Sequence, residues 1–70
     1  MEVDVRKLKA LRERRVLSRE ELAEEAGLNY ETVRRIEAGD QQPRPKTIRA
    51  LARALKVEPH ALVKVRGNDA

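Results

Sequence analysis

The 70-residue sequence contains no cysteine, no phenylalanine and no tryptophan. It has a single tyrosine, Tyr30, and a single histidine, His60. Without cysteine there is no disulfide scaffold, no thiolate zinc site and no thiol nucleophile. With one histidine, a zinc site would need mostly carboxylates, so neither a metal nor a cofactor is expected. With one aromatic residue, stacking of unpaired bases on a recognition sheet or single-strand platform has almost nothing to work with. This counts against an RNA-binding module. No apolar run approaches the roughly 20 residues of a membrane helix, so no membrane association is expected. Met1, Glu2, Val3 and Asp4 lack the basic-then-apolar form of a signal peptide. Catalytic arrangements are missing too: there is no His–carboxylate pair, no Gly-rich phosphate loop and no evident pair of carboxylates in a pocket. The expectation is a non-enzymatic, soluble, intracellular domain.

What is present is charge. Lys and Arg number sixteen, Asp and Glu twelve, for a net charge of +4. That small value hides segregation. Residues 5–19 carry seven basic groups and one acid, a net of +6. Residues 34–56 carry seven basic groups and two acids, a net of +5. Residues 20–25 carry four Glu and no base. Blocks of this kind fit either a basic surface facing a polyanion or solvated helix faces. A chain of this length is one domain, whose core contributes only about 3–5 kcal/mol of net stability.

Between Gly27, Gly39, Pro43, Pro45, Pro59 and Gly67 the apolar residues fall at helical spacing, which predicts an all-α bundle of five short helices. The first runs from about Val5 to Arg15 with Asp4 as N-cap. Val5, Leu8 and Leu11 share one arc, and Arg12 falls inside it. A guanidinium on a core-facing stripe needs a partner. The second helix starts at Ser18, where Ser18-Arg19-Glu20-Glu21 forms a capping box. Leu22, Ala23 and Ala26 face inward, the four Glu face outward, and Gly27 ends the helix. The third helix, capped by Asn29, runs to about Ala38. Val33 and Ile36 point inward with Thr32 and Glu37 beside them. Tyr30, Glu31, Arg34 and Arg35 occupy the other side. A fourth helix starts at Pro45, with Ile48, Leu51, Ala52 and Leu55 on its apolar face. Arg49, Arg53 and Lys56 form a basic stripe read as a solvated face. A short fifth helix is expected from Pro59 to Val63 or Lys64, with His60 as a surface residue. The domain spans residues 1–66, followed by a disordered tail at 67–70.

Two short helices joined by a tight turn, the second with an exposed polar face, define a helix-turn-helix. With Arg19 as the first position of the motif, Leu22, Ala26, Leu28, Val33 and Ile36 fill its inward apolar positions. Ala23 provides the small residue where the helices cross. Gly27 provides the turn. On these residues the chain resembles the lambda-repressor-like domain, the phage repressor and Cro type also called the xenobiotic-response-element family. Leu8 to Glu13, Leu17 to Ala23, Gly27-Leu28-Asn29, Ile36 to Gly39, Pro43 and Leu51 to Leu55 carry the resemblance over residues 5–64. It implies a five-helix domain that docks its third helix in the major groove, and a homodimer on a palindromic operator. It also implies a structural ion pair between Arg12 and Glu37, and the helical wheels place both charges on core-facing arcs of their helices. Four positions depart from the family. Arg19 replaces a common Gln, Arg44 a common Ser, Asp40 a common basic residue, and Val16 a Gly or polar residue.

The N-terminal part of a recognition helix meets base edges. Here that means Tyr30, Glu31, Arg34 and Arg35. Arg bonds guanine bidentately and Glu accepts from cytosine N4, which suits a G·C-containing half-site. Two readings remain for Glu31: base contact, or an i,i+4 pair that only orients Arg35. Tyr30 either touches a base or packs against the turn with its hydroxyl at a phosphate. Phosphate contacts are expected from Ser18 and Arg19, where a helix N-terminus favours anions, and from Asn29 at the next cap. Gln42, Arg44 and Lys46, in and just after the following loop, join them. Asp40 weakens that loop's contact. The expected function is sequence-specific double-stranded DNA binding as a transcriptional regulator, more readily a repressor than an activator. The expected location is the cytoplasm, at the nucleoid. An antitoxin that also binds a toxin is the alternative, with Leu62, Val63 and Val65 as its candidate apolar patch.

Overall fold

The computed structural model describes residues 2–64. It contains four α-helices in chain order: α1 (Val5–Arg14), α2 (Arg19–Ala26), α3 (Tyr30–Ala38) and α4 (Pro45–Leu55). A 3-10 turn, Pro59–Leu62, stands where the fifth helix was expected. The expected tail at 67–70 lies outside the described residues, as does Val65. No helix among the described residues is long and apolar enough to cross a membrane.

The expected N-caps form at three of the four helices. Asp4 accepts from the Lys7 amide, Ser18 from the Glu21 amide and Asn29 from the Glu31 amide. The Glu21 carboxylate returns to the Ser18 amide and completes the capping box. Helix α4 has Pro45 at its first turn and no side-chain cap, because Arg44 occupies the capping position.

All four helices end in the same way, on one residue of left-handed backbone. The amide just after that residue bonds a carbonyl one turn back: Leu17 to Arg12, Leu28 to Ala23, Asp40 to Arg35 and Val57 to Ala52. Gly27 and Gly39 supply this conformation for α2 and α3, at φ 71° and 82°. Val16 and Lys56 supply it for α1 and α4, at φ 55° and 60°. A residue with a Cβ is disfavoured there by about 1–2 kcal/mol. Val16 is also β-branched and 86% exposed.

The core follows the wheels. Leu8 from α1, Leu22 and Ala23 from α2, Val33 and Ile36 from α3, and Ile48, Leu51, Ala52 and Leu55 from α4 are buried together. Helix α2 packs against both α3 and α4, and α1 against α3 and the 3-10 turn. Two contributors were not anticipated. Ala54 is buried, and so is Val3, which faces Val63 in an isolated antiparallel bridge. The Asp4 amide donates to the Leu62 carbonyl at 2.7 Å and the Lys64 amide to the Glu2 carbonyl at 2.8 Å. Leu62 and Val63 are therefore core residues, not an exposed patch. This corrects the surface suggested for a toxin. The N-terminal segment pairs with this stretch through Val3 and Val63, 60 residues apart, which local spacing does not reveal.

Candidate nucleic-acid interface

Helix α3 is built with two faces. Val33, Ile36 and Glu37 are buried, whereas Tyr30 and Arg35 are exposed and Glu31 and Arg34 half-exposed. Its orientation is set partly by an ion pair. Glu37 lies in the core and Arg12 reaches it from α1, with Nε 2.6 Å from Oε2 and Nη2 3.2 Å from Oε1. The Nη1 group of Arg12 donates to the Leu17 carbonyl at 2.7 Å. One guanidinium thus ties α1, the turn after it and α3. Charge-assisted bonds to both oxygens offset the burial of Glu37. Arg15 adds a second strap, donating to the Ala54 carbonyl at the end of α4 at 2.5 Å.

With the core side fixed in this way, Tyr30, Glu31, Arg34 and Arg35 share the outer surface of α3. Glu31 binds both arginines. Its Oε2 lies 2.6 Å from Arg34 Nη2 and 3.2 Å from Arg35 Nε, and its Oε1 lies 3.2 Å from Arg34 Nε. The i,i+4 pair with Arg35 was expected. The shorter two-point contact with Arg34 was not. The hydrogen bonds from Arg34 above all, opposed by partial desolvation and reinforced by the bond from Arg35 and the charges of both arginines, hold the Glu31 carboxyl down at about 2. The same contact raises Arg34 above its ordinary value.

The residues expected at phosphates precede and follow this face along the chain. Ser18, Arg19, Glu20 and Tyr30 line a shallow depression of about 220 Å³ between the N-termini of α2 and α3. The capping box occupies the amides of Ser18 and Glu21, while those of Arg19 and Glu20 have no partner within the helix. The Asn29 side-chain oxygen is committed to the Glu31 amide at 2.8 Å. Beyond α3, Arg44 and Lys46 are exposed. Gln42 is exposed as well, but its side-chain oxygen accepts from the Val3 amide at 3.2 Å, tying the loop to the N-terminal segment.

Comparison with known proteins agrees with this architecture. The helix-turn-helix family HTH_3 matches residues 8–62. The restriction-modification controller protein C.AhdI from Aeromonas hydrophila is 35% identical, with a TM-score of 0.79 over 81% of this chain and 86% of that one. An HTH_3 family transcriptional regulator from Vibrio cholerae is 30% identical, with a TM-score of 0.77 over 81% of this chain and 32% of its own. A hydroxyethylphosphonate dioxygenase is also 30% identical, with a TM-score of 0.81 over all of this chain but only 15% of its own. In the last two the chain corresponds to one segment of a longer protein. No curated protein matches the chain. The matched span covers the capped helix pair, the Arg12–Glu37 tie and the polar face of α3, and the chain belongs to the lambda-repressor-like helix-turn-helix family.

Proposed function

We propose that this protein binds double-stranded DNA at specific sequences and regulates transcription, with α3 seated in the major groove. The observation that carries this is the division of α3. Its buried side is locked by Val33, Ile36 and Glu37, so Tyr30, Glu31, Arg34 and Arg35 project on a rigid support. Arginine reads guanine O6 and N7 in the major groove, and glutamate accepts from cytosine N4. Ser18, Arg19 and Asn29 on one side, and Gln42, Arg44 and Lys46 on the other, contact phosphates and set the register. Tyr30 borders the Ser18–Arg19 depression, which favours its hydroxyl at a phosphate over a base edge.

The protein acts as a homodimer on a palindromic site, because a single domain of this size covers only one half-site. The likeness to a controller protein supports a regulatory role. The antitoxin reading has less support, because Leu62 and Val63 are spent on the core.

Selection of binding sites from a random duplex pool tests the proposal. A palindromic, G·C-containing motif is expected, with log affinity falling against log salt by about 0.9 per neutralised phosphate. A pool with no enriched motif would refute sequence-specific recognition.

A further inference from the structure

We infer that Glu31 is a built-in counter-charge, which occupies Arg34 and Arg35 when no base is present and so weakens binding to phosphate relative to binding at the correct sequence. The inference rests on the major-groove reading of α3.

The geometry is specific. One carboxylate accepts from two nitrogens of Arg34 and one of Arg35, at 2.6 to 3.2 Å. The two-oxygen grip on Arg34 is the geometry that a guanidinium takes against a phosphate. Glu31 therefore fills the fork that a phosphate would use. The backbone beneath it is fixed, since the Glu31 amide is held by Asn29. Two arginines and one glutamate leave this cluster at +1 where the arginines alone would give +2. Asp40, at the end of α3, adds to the negative field on Arg34.

A phosphate approaching this face meets two obstacles. It must detach Arg34 from Glu31, or it must sit beside a carboxylate of like charge. A G·C base pair removes both. Guanine accepts from the released arginine, and the cytosine amino group of the same pair donates to Glu31. Only a ligand with an acceptor and a donor side by side satisfies all three side chains. Phosphates offer acceptors alone. Glu31 is thus a specificity-determining residue whose main effect is on the wrong DNA.

Glu31→Gln keeps the shape of the side chain and removes its charge. Fluorescence anisotropy on a selected duplex and a scrambled duplex of equal length, over a salt series, reads the effect. On scrambled DNA, Glu31→Gln is expected to bind about threefold to fivefold more tightly at low salt, with the log–log slope steeper by about 0.9. The preference for the selected duplex falls by at least that factor. Glu31→Asp, which keeps the charge, is expected to retain most of the wild-type discrimination. In a chain already carrying Arg34→Ala and Arg35→Ala, adding Glu31→Gln leaves scrambled binding nearly unchanged. An unaltered scrambled affinity and slope would overturn the inference. So would an equal tightening in the chain lacking both arginines, which marks a general effect of net charge. If the wild-type protein does not distinguish the two duplexes, the major-groove reading fails, while the scrambled-duplex measurements still test the counter-charge by itself.

Discussion

Glu37 and Glu31 stand less than two turns apart on α3, and each holds guanidinium groups. Glu37 takes Arg12 from another helix, with its side chain 1% exposed. Glu31 takes Arg34 and Arg35 from its own helix, with its side chain 47% exposed. Both shortest contacts are 2.6 Å, so distance does not separate them. Burial does. In the core, losing one partner strands a charge that water cannot reach. On the surface, water and salt replace the lost partner at little cost. The same pair of residue types therefore acts as a structural fastener at one end of the helix and as a solvent-exchangeable contact at the other, the end that the proposed function turns towards DNA.

The largest effect should come from breaking the buried side. Arg12→Ala is expected to cost about 3–5 kcal/mol, comparable with the whole net stability of a core this small. Thermal denaturation followed by circular dichroism should show the midpoint lowered by about 12 °C or more, or no cooperative transition. Replacing Arg12 and Glu37 together by Met should recover most of that loss, since a buried ion pair exchanged for apolar volume is often neutral. A double variant as unstable as Arg12→Ala would show that the stranded charge is not the cause.

On the exposed side, Arg35→Ala should leave the melting curve nearly unchanged. It should reduce discrimination at one G·C position by about 1–3 kcal/mol, measured by competition between selected duplexes. Arg44→Ala should weaken all sequences alike and lower the salt slope by about 0.9. A melting midpoint that drops with Arg35→Ala as it does with Arg12→Ala would erase the distinction between the two ends.

Backbone strain at Val16 offers a check in which no charge is involved. Val16→Asn, which tolerates left-handed backbone, should raise stability by roughly 1 kcal/mol and the midpoint by about 4–8 °C. The smallest effect concerns protons. Arg34 holds the Glu31 carboxyl below the usual carboxylate range, at about 2. A lowered folded value means the contact is fully formed above the ordinary carboxylate range and is lost as pH falls towards 2. An NMR titration of the Glu31 carboxyl should show this low midpoint in the wild-type chain. In Arg34→Ala it should return part of the way towards the ordinary range.

Much of this was legible in the sequence because it is local. Caps, the capping box and the glycines that end α2 and α3 depend on residues within one turn of each other. Arg12 and Glu37 could be paired in advance, because each is a charge on an otherwise apolar arc. The exposed face of α3 could be read by the same periodicity. What stayed hidden was either long-range or a choice between neighbours. Glu31 has arginines at both i+3 and i+4, and spacing alone does not say that Arg34 receives the two-point contact. Gln42 lies in a loop expected at phosphates, and local spacing does not show that its side-chain oxygen accepts from the Val3 amide, 39 residues away. Leu62 and Val63 have the local pattern of an apolar patch open to a partner, whereas the fold sets Val3 against Val63.

The absence of large aromatics already required a core of Leu, Ile, Val and Ala. Helical periodicity with tight, capped turns then required the helix pair and its polar outer face. Those outcomes follow from forces acting within a few residues. Tertiary structure alone decided which end of α3 is locked and which stays exchangeable, since water is excluded only where α1, α3 and the core close around Glu37. It also decided that the chain's N-terminal segment completes the core, because only the folded bundle brings Val3 to Val63.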